Sequence, residues 1–402
     1  MRTIAVVGAS LAGLHAARTL RAEGFEGQLV MVGEECARPY DRPPLSKQFL
    51  SKGWTAEQVA LEDAQAPLQA EWRLGCRATG LDLGRRELAL DSGERLGFDG
   101  LVIATGTAVR RLPLNAVPGT HVVRTLEDAT ALAAALDAQP ERVAVVGGGF
   151  IGLEVAASCR ERGLAVTLIE PAAVPLGRVL GAAMGGAITA LHTARGVDCR
   201  TGVSVLGHEV DARGRISALR LSDGSRVAAS VVVVAIGVVP ATDWLEGSGL
   251  RLDDGVLCDE TCLAAPGVVA AGDVARWHNR RTGETRRVEH WDNAVRQGRH
   301  AARRLLDADG SRTAPFEVLP WFWSDQYDRK IQLYGSALAH DEVRVVQGSA
   351  EDGRFMALYR RGDRLCAVLC VNMARALPPL RSLLETGCAF DDAVASARAV
   401  AA

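Results

Sequence analysis

An α/β fold built on two Rossmann-type βαβ units is what this 402-residue sequence predicts, on three observations. Two glycine-rich turns, each between an apolar strand and a helix, lie far apart in the chain. They read Ile4-Ala5-Val6-Val7-Gly8-Ala9-Ser10-Leu11-Ala12-Gly13 and Val143-Ala144-Val145-Val146-Gly147-Gly148-Gly149-Phe150-Ile151-Gly152. Each is followed by a carboxylate at the right spacing: Glu34 lies 21 residues beyond Gly13, and Glu170 lies 18 beyond Gly152. The composition agrees, since 42 glycines with only 5% aromatic residues suit an α/β protein rich in tight turns. One such turn is a weak signal. Two, each with its carboxylate, imply two dinucleotides held in one chain and electron transfer between them.

The opening strand, about residues 2–7, passes through the first turn into a helix from Leu11 to about Glu23, which Gly24 ends in a left-handed cap. Gln28 to Gly33 is the next strand. The prolines of Arg38-Pro39-Tyr40-Asp41-Arg42-Pro43-Pro44-Leu45-Ser46-Lys47 forbid regular structure, and its charged residues make it a shaped loop. Strands follow near Glu87–Leu90 and Gly100–Ala104, the latter ending in Ala104-Thr105-Gly106. Proline and glycine at 113–119 mark a boundary, after which a second βαβ unit runs from Val143 to the strand Ala165–Glu170. Further strands are expected near Ser204–Glu209, Ile216–Leu221 and Val231–Ile236, and a buried strand leads into Gly272-Asp273. A helix from about Asn293 to Leu306 comes next, and from Trp321 the sequence turns strand-like and aromatic, as for a further domain.

The chemistry of the turns fixes their residues. A dinucleotide turn needs glycine for the bend, for close approach of backbone to pyrophosphate, and for helix–strand packing. Pyrophosphate then lies on the exposed amides of the helix N-terminus. Gly147, Gly149 and Gly152 meet all three needs, whereas the first turn has Ser10 in the middle position. Glu34, with Glu35 as a competitor, and Glu170 would bind ribose hydroxyls. A 2′-phosphate about 4 Å from Glu170 would cost up to about 4 kcal/mol, roughly a thousandfold in affinity, so NADH is favoured over NADPH.

Bulk properties exclude other classes. A formal charge of −2 gives no polybasic character for nucleic acid. The longest apolar run, Val231 to Val239, is too short for a bilayer, and no leader pattern precedes the first strand, so a cytoplasmic protein is expected. The nine cysteines form no Cys-x-x-Cys pair and read as reduced, buried thiols; Cys258 and Cys262, like Cys366 and Cys370, read as residues four apart on strands. No metal site is expected.

With these residues in place, the chain resembles the FAD-dependent, NADH-using ferredoxin reductases of bacterial oxygenase systems. The resemblance rests on Val32-Gly33-Glu34, Pro39 to Lys47, Arg124-Thr125-Leu126-Glu127-Asp128, Gly147 to Glu154, Ala271-Gly272-Asp273, Glu289-His290-Trp291-Asp292-Asn293-Ala294 and Pro320-Trp321-Phe322-Trp323-Ser324-Asp325-Gln326. It implies a glutathione-reductase-like fold: an FAD domain in two parts (1–114 and 245–320), an inserted NADH domain (115–244) and an α+β C-terminal domain (321–402). FAD would be held by Gly8, Ala12, Gly13, Glu34, Arg42, Pro44, Lys47, Ala78, Thr105, Arg124, Gly272, Asp273, Trp291 and Trp321. NADH would be held by Gly147, Gly149, Ile151, Gly152, Glu154, Glu170, Arg178, Gly237 and Glu289. Lys47 and Glu154 carry the catalytic roles.

The implied activity takes hydride from NADH onto FAD and passes single electrons to a small acidic [2Fe–2S] ferredoxin that supplies a haem monooxygenase or Rieske dioxygenase. The implied protein is a monomer or homodimer. Arg296, Arg299, Arg303 and Arg304 fall on one arc of the helix after Trp291 and would face the ferredoxin. Two rivals stand beside this reading. An NADH-oxidase or disulfide-reductase flavoprotein needs a redox cysteine, which the stretch Ser46 to Ser51 does not hold. A non-enzymatic, NADH-sensing flavoprotein would lack fast turnover with an acceptor.

Overall fold

The computed structural model describes residues 1–61 and 67–399. The chain divides into two compact units. One comprises Met1–Asp41, Ala56–Ala108 and Val238–Pro320; the other comprises Arg42–Thr55, Val109–Gly237 and Trp321–Ala402.

In the first unit the opening strand Thr3–Val7 is buried from Ile4 onward and lies between two parallel partners, Gln28–Gly33 and Gly100–Ile103. Glu71–Leu74 extends the sheet on one side; Val268–Ala270 and the antiparallel Leu263–Ala265 extend it on the other. Strand order therefore reverses at the opening strand. The helices Leu11–Ala22 and Trp291–Leu306 pack on each other. They meet at small residues: a Cβ on Gly298 would fall 2.4 Å from the Ala12 carbonyl oxygen.

The second unit repeats the pattern. Arg142–Val146 lies between the parallel strands Ala165–Glu170 and Val231–Val234, with Val197–Thr201 and Thr120–His121 at the edges. All four valines of Val231–Val234 are buried, as a strand covered on both faces requires. An antiparallel sheet follows, in the order Trp321–Gln326, Arg329–Gly335, Arg364–Val371, Arg354–Arg361, Glu342–Ser349. One hydrophobic core joins Leu153, Val155 and Leu180 to Phe355, Tyr359 and Leu369, so nucleotide-type and C-terminal parts share an interior.

Among the described residues, several helices escape the sequence reading, including the short Gln48–Lys52 and Ala56–Val59. Leu126–Asp137 begins at a Thr-x-x-Asp box: the Thr125 hydroxyl accepts from the Asp128 amide at 3.1 Å, and the Asp128 carboxylate accepts from the Thr125 amide at 2.9 Å. Gly177–Ala194 is disguised by its glycines and is broken at Gly181, where φ is 77°. The Tyr359 hydroxyl donates to the freed Leu180 carbonyl at 2.9 Å, and the His340 ring fills the place of a Gly181 Cβ. Leu377–Thr386 keeps its two prolines in the first turn, where they are tolerated, and Phe390–Ala399 closes the chain. The helix after the Gly272 turn starts at Trp291 rather than Asn293, and Val231–Val234 stops two residues short of Ile236. Gly24 has φ +86°, the left-handed value expected of it.

The cysteines need correcting. Cys159, Cys258, Cys262 and Cys370 are buried, but Cys36 is exposed and the other four are half-buried. Cys262 sits in a bend at φ 72° and Cys258 lies just past the strand Val256–Leu257, so neither is on a strand.

Gly298→Ala should destabilise the first unit by about 1–3 kcal/mol through overpacking against Ala12. A urea titration of the purified variant checks this.

Candidate functional site

Both glycine turns share one construction. Gly8 has φ +117°, and a Cβ there would fall 2.0 Å from the Ala104 carbonyl oxygen; on Gly13 it would fall 2.0 Å from the Gly8 oxygen. The second turn matches it: a Gly147 Cβ would lie 2.3 Å from the Ala235 oxygen, and a Gly152 Cβ 2.0 Å from the Gly147 oxygen. The protein's own packing thus demands the outer glycines. The middle position differs. A Cβ on Gly149 would meet nothing within 4 Å, and its counterpart Ser10 carries a side chain. The protein's own packing therefore places no demand for glycine at 149. Ser10 and Gly149 are the N-caps of Leu11–Ala22 and Phe150–Glu161, neither of which has an acidic residue in its first turn. The positive ends of both helices remain available to an anion.

In the first unit, Gly8, Ala12, Gly13, Glu34, Thr105, Gly272 and Asp273 all lie at the C-terminal ends of the parallel strands. That is the crevice where strand order reverses and open α/β sheets bind ligands. A Gly272 Cβ would fall 2.8 Å from the Ala12 Cβ, tying the two turns together. Glu34 is exposed, whereas the neighbouring Glu35 accepts the Tyr40 hydroxyl proton. Thr105 donates to the Ala241 carbonyl at 2.9 Å. Trp291 opens its helix, against the Gly272–Val274 turn, and its indole N–H donates to Asp41 at 2.8 Å. Glu289 pairs with Arg287 at 2.7 Å, and Ala78 is buried at the start of Ala78–Asp82.

In the second unit the Glu170 carboxylate accepts from the Gly148 amide at 2.6 Å and the Ala172 amide at 2.8 Å, which locks it onto the turn. Gly237 follows Val231–Val234 at φ +93° with open space at its Cβ position. Ile151 is 44% exposed, an apolar side chain left open beside the turn. Arg178 is exposed in the first turn of Gly177–Ala194. Arg42 donates to the Arg124 carbonyl at 2.6 Å, and Pro44 is buried in the turn Pro43–Ser46. The Trp321 and Trp323 rings are half-buried and stack at 5.2 Å, and the Trp321 indole nitrogen is buried without a hydrogen-bond partner.

Lys47 and Glu154, expected to lie close together, form a buried ion pair. Lys47 is 8% exposed and Glu154 2%, and their Nζ and Oε2 atoms are 2.8 Å apart. Lys47 also donates to the Pro43 carbonyl at 3.0 Å. The Ser46 hydroxyl donates to the same carboxylate at 2.6 Å, and Ser324 donates to its other oxygen at 2.5 Å. Glu154 lies beyond the first turn of its helix, so it is no dipole-compensating surface acid. Sequence reasoning missed Ser324, Gln326 and His192. Ser324 and Gln326 alternate on the buried face of a strand, a polar pattern that signals internal partners. His192 gives no such signal.

Arg304 does not belong to an exposed arc: it is buried, donating to the Asp307 carbonyl and, at 3.0 Å, to Thr261. Arg303 pairs with Glu23 at 2.8 Å and Arg296 with Asp292 at 3.6 Å. Burial pushes the Cys159, Cys258 and Cys370 thiols up to about 12 and raises Cys262 well above the usual thiol value, so none of these four is a ready thiolate. Among the described residues no group of three or more His, Cys, Asp or Glu could hold a metal ion, and no helix is long and apolar enough to cross a membrane.

Residues 2–298 match the model of the pyridine nucleotide-disulphide oxidoreductases, and residues 321–401 match a reductase C-terminal domain. The chain is 35% identical to the putidaredoxin reductase of Pseudomonas putida over 92% of its own length and 88% of that protein's. It is 37% identical to the biphenyl dioxygenase system ferredoxin–NAD(+) reductase component of Paraburkholderia xenovorans, covering 94% of this chain and 90% of that one. Its fold matches the reductase in the crystal structure of a covalent putidaredoxin reductase–putidaredoxin complex with a TM-score of 0.89 at 34% identity, over 95% and 93% of the two chains. The chain belongs to the pyridine nucleotide-disulphide oxidoreductase family and, within it, to the ferredoxin reductases of oxygenase systems.

Burial lowers His192 to about 4 and His290 to about 3. Both are neutral when folded and take up protons on unfolding below the usual 6.5. Stability should therefore fall as pH drops from about 6.5 towards 4, each histidine adding up to about 1.4 kcal/mol per pH unit. Urea midpoints measured across that range test it, and His192→Gln should flatten the slope.

Proposed function

We propose that this protein is an FAD-containing ferredoxin–NAD(+) reductase that supplies electrons to an oxygenase. The observation that carries the reading is the doubled crevice: two glycine turns, each at a strand-order reversal with a carboxylate at the C-terminal end of the next strand. FAD would lie on Gly8, Ala12 and Gly13, with its ribose on Glu34 and with Thr105, Gly272, Asp273, Trp291 and Ala78 around it. NADH would lie on Gly147, Gly149, Ile151 and Gly152, with its ribose on Glu170 and with Arg178, Gly237 and Glu289 as further contacts. Arg42, Pro44, Arg124 and Trp321 complete the proposed cofactor-binding set, and the domain boundaries 1–114, 115–244, 245–320 and 321–402 belong to the same proposal.

When bound, FAD accepts two electrons as hydride and gives them up singly, which a one-electron iron–sulfur carrier requires. The chain supplies orientation and charge. Backbone amides and ribose-binding carboxylates fix the two nucleotides. Lys47, buried and pinned by Glu154 and Pro43, would supply positive charge to offset the negative charge gained on reduction, and Glu154 would balance Lys47 in the oxidised protein.

The partner is proposed to be a small acidic [2Fe–2S] ferredoxin, and the setting cytoplasmic, with the protein monomeric or homodimeric. With Arg304 buried, docking would fall to Arg296, Arg299 and Arg303.

The purified protein should be yellow, should bleach on anaerobic addition of NADH, and should regain its colour with an oxidised [2Fe–2S] ferredoxin. A colourless protein that leaves NADH untouched would end the reading. NADPH should give a much lower kcat/KM, on account of Glu170. Lys47→Ala should slow flavin reduction in stopped flow. Charge reversal by Arg299→Glu and Arg303→Glu should weaken ferredoxin reduction, steeply with salt in the parent protein, while leaving NADH–ferricyanide turnover unchanged.

A further inference from the structure

Behind Glu154 a line of buried polar groups runs inward from the surface. The Tyr327 hydroxyl lies 3.1 Å from His192 Nδ1, and His192 Nε2 lies 2.9 Å from Gln326 Oε1. Gln326 Nε2 lies 3.0 Å from the Ser324 hydroxyl, which reaches Glu154 Oε1 at 2.5 Å. His192, Gln326 and Ser324 are each 0% exposed. None of them can exchange a lost partner for bulk water.

The direction of every bond follows from the carboxylate. Paired with Lys47, Glu154 only accepts, so Ser324 must donate to it. Gln326 must then donate its amide N–H to the Ser324 oxygen, which turns Gln326 Oε1 towards His192. His192 Nε2 must therefore carry a proton, and its Nδ1, bare in the neutral ring, accepts from Tyr327. Burial and the charge of Arg195 keep that ring neutral. Arg195 itself is held over the Tyr327 ring at 4.9 Å and paired with Asp328.

We infer that Tyr327, His192, Gln326 and Ser324 form a one-way donor chain that fixes the Glu154 carboxylate and through it the Lys47 ammonium, making His192 a positioning residue for hydride transfer. The inference rests on the role proposed above for Lys47 and Glu154. A carboxylate short of one donor rotates to find another, and the buried ammonium follows it. Glu154 holds three side-chain donors, namely Lys47, Ser46 and Ser324. The Ser324 arm is the one that leads on to His192 and Tyr327.

Two independent measurements test this. In the ¹⁵N-labelled holoprotein, NMR should find His192 neutral and protonated at Nε2 from pH 6 to 8; protonation at Nδ1 would overturn the chain. In stopped flow, His192→Leu should slow flavin reduction by NADH about tenfold, the worth of one charge-linked hydrogen bond, with NADH affinity unchanged. His192→Gln keeps a donor for Gln326 and should restore the rate to within about threefold. Should His192→Leu fail to fold, Ser324→Ala, which removes one hydroxyl, carries the same expectation. A wild-type rate in a folded His192→Leu or Ser324→Ala overturns the proposal. If Lys47→Ala slows reduction while these variants do not, the donor chain alone falls. If Lys47→Ala has no effect, the underlying role of Lys47 falls instead.

Discussion

Two opposite charges, those of Lys47 and Glu154, lie almost out of contact with water, and much of the second unit is arranged around that fact. Removing water from an ion pair costs several kcal/mol per ion, and attraction repays this only with good geometry and satisfied lone pairs. The local structure supplies both. The prolines of Pro43-Pro44 hold a tight turn that delivers Ser46 and Lys47 together, and the Ser158 hydroxyl ties the Ser46 carbonyl down at 2.8 Å. The helix after Gly152 brings Glu154 and Ser158 on one face, four residues apart. The C-terminal sheet adds Ser324. Three segments distant in sequence are therefore held in register by one carboxylate.

The two glycine turns show how the same geometry can be demanded for different reasons. At Gly8, Gly13, Gly147 and Gly152 any side chain would strike backbone a little over 2 Å away, or closer. These positions shape the protein itself. Gly149 has room for a side chain and lacks one, while Ser10 has kept a side chain at the equivalent place. The two turns are thus alike in construction and differ at the middle position.

Legibility followed sequence distance. The βαβ units, their carboxylates and the cap at Gly24 were readable because every determinant lies within one short stretch and obeys a simple period. The different surroundings of Glu34 and Glu35 were not legible in the sequence, which does not show that the Tyr40 hydroxyl donates to Glu35. Arg304 looked exposed because helical spacing gives the face of a residue but not the length of chain folded over that face; here Thr261 and Asp307 cover it. Helix Gly177–Ala194 was hidden because glycine argues against helix locally, and what stabilises the break comes from Tyr359 and His340, far along the chain. His192 was invisible for the same reason: its partners lie more than a hundred residues away.

The break at Gly181 has an engineering consequence. A portable module cut from the second βαβ unit alone would end before the last sheet. Cutting there would strip the Leu180 carbonyl of Tyr359, leave a void where His340 sits, and take Ser324 from Glu154. Such a fragment would keep its glycine turn yet lose the contacts that support the break in the helix bearing Arg178. Anyone grafting this half of the protein into a chimera would need to carry the C-terminal sheet along with it.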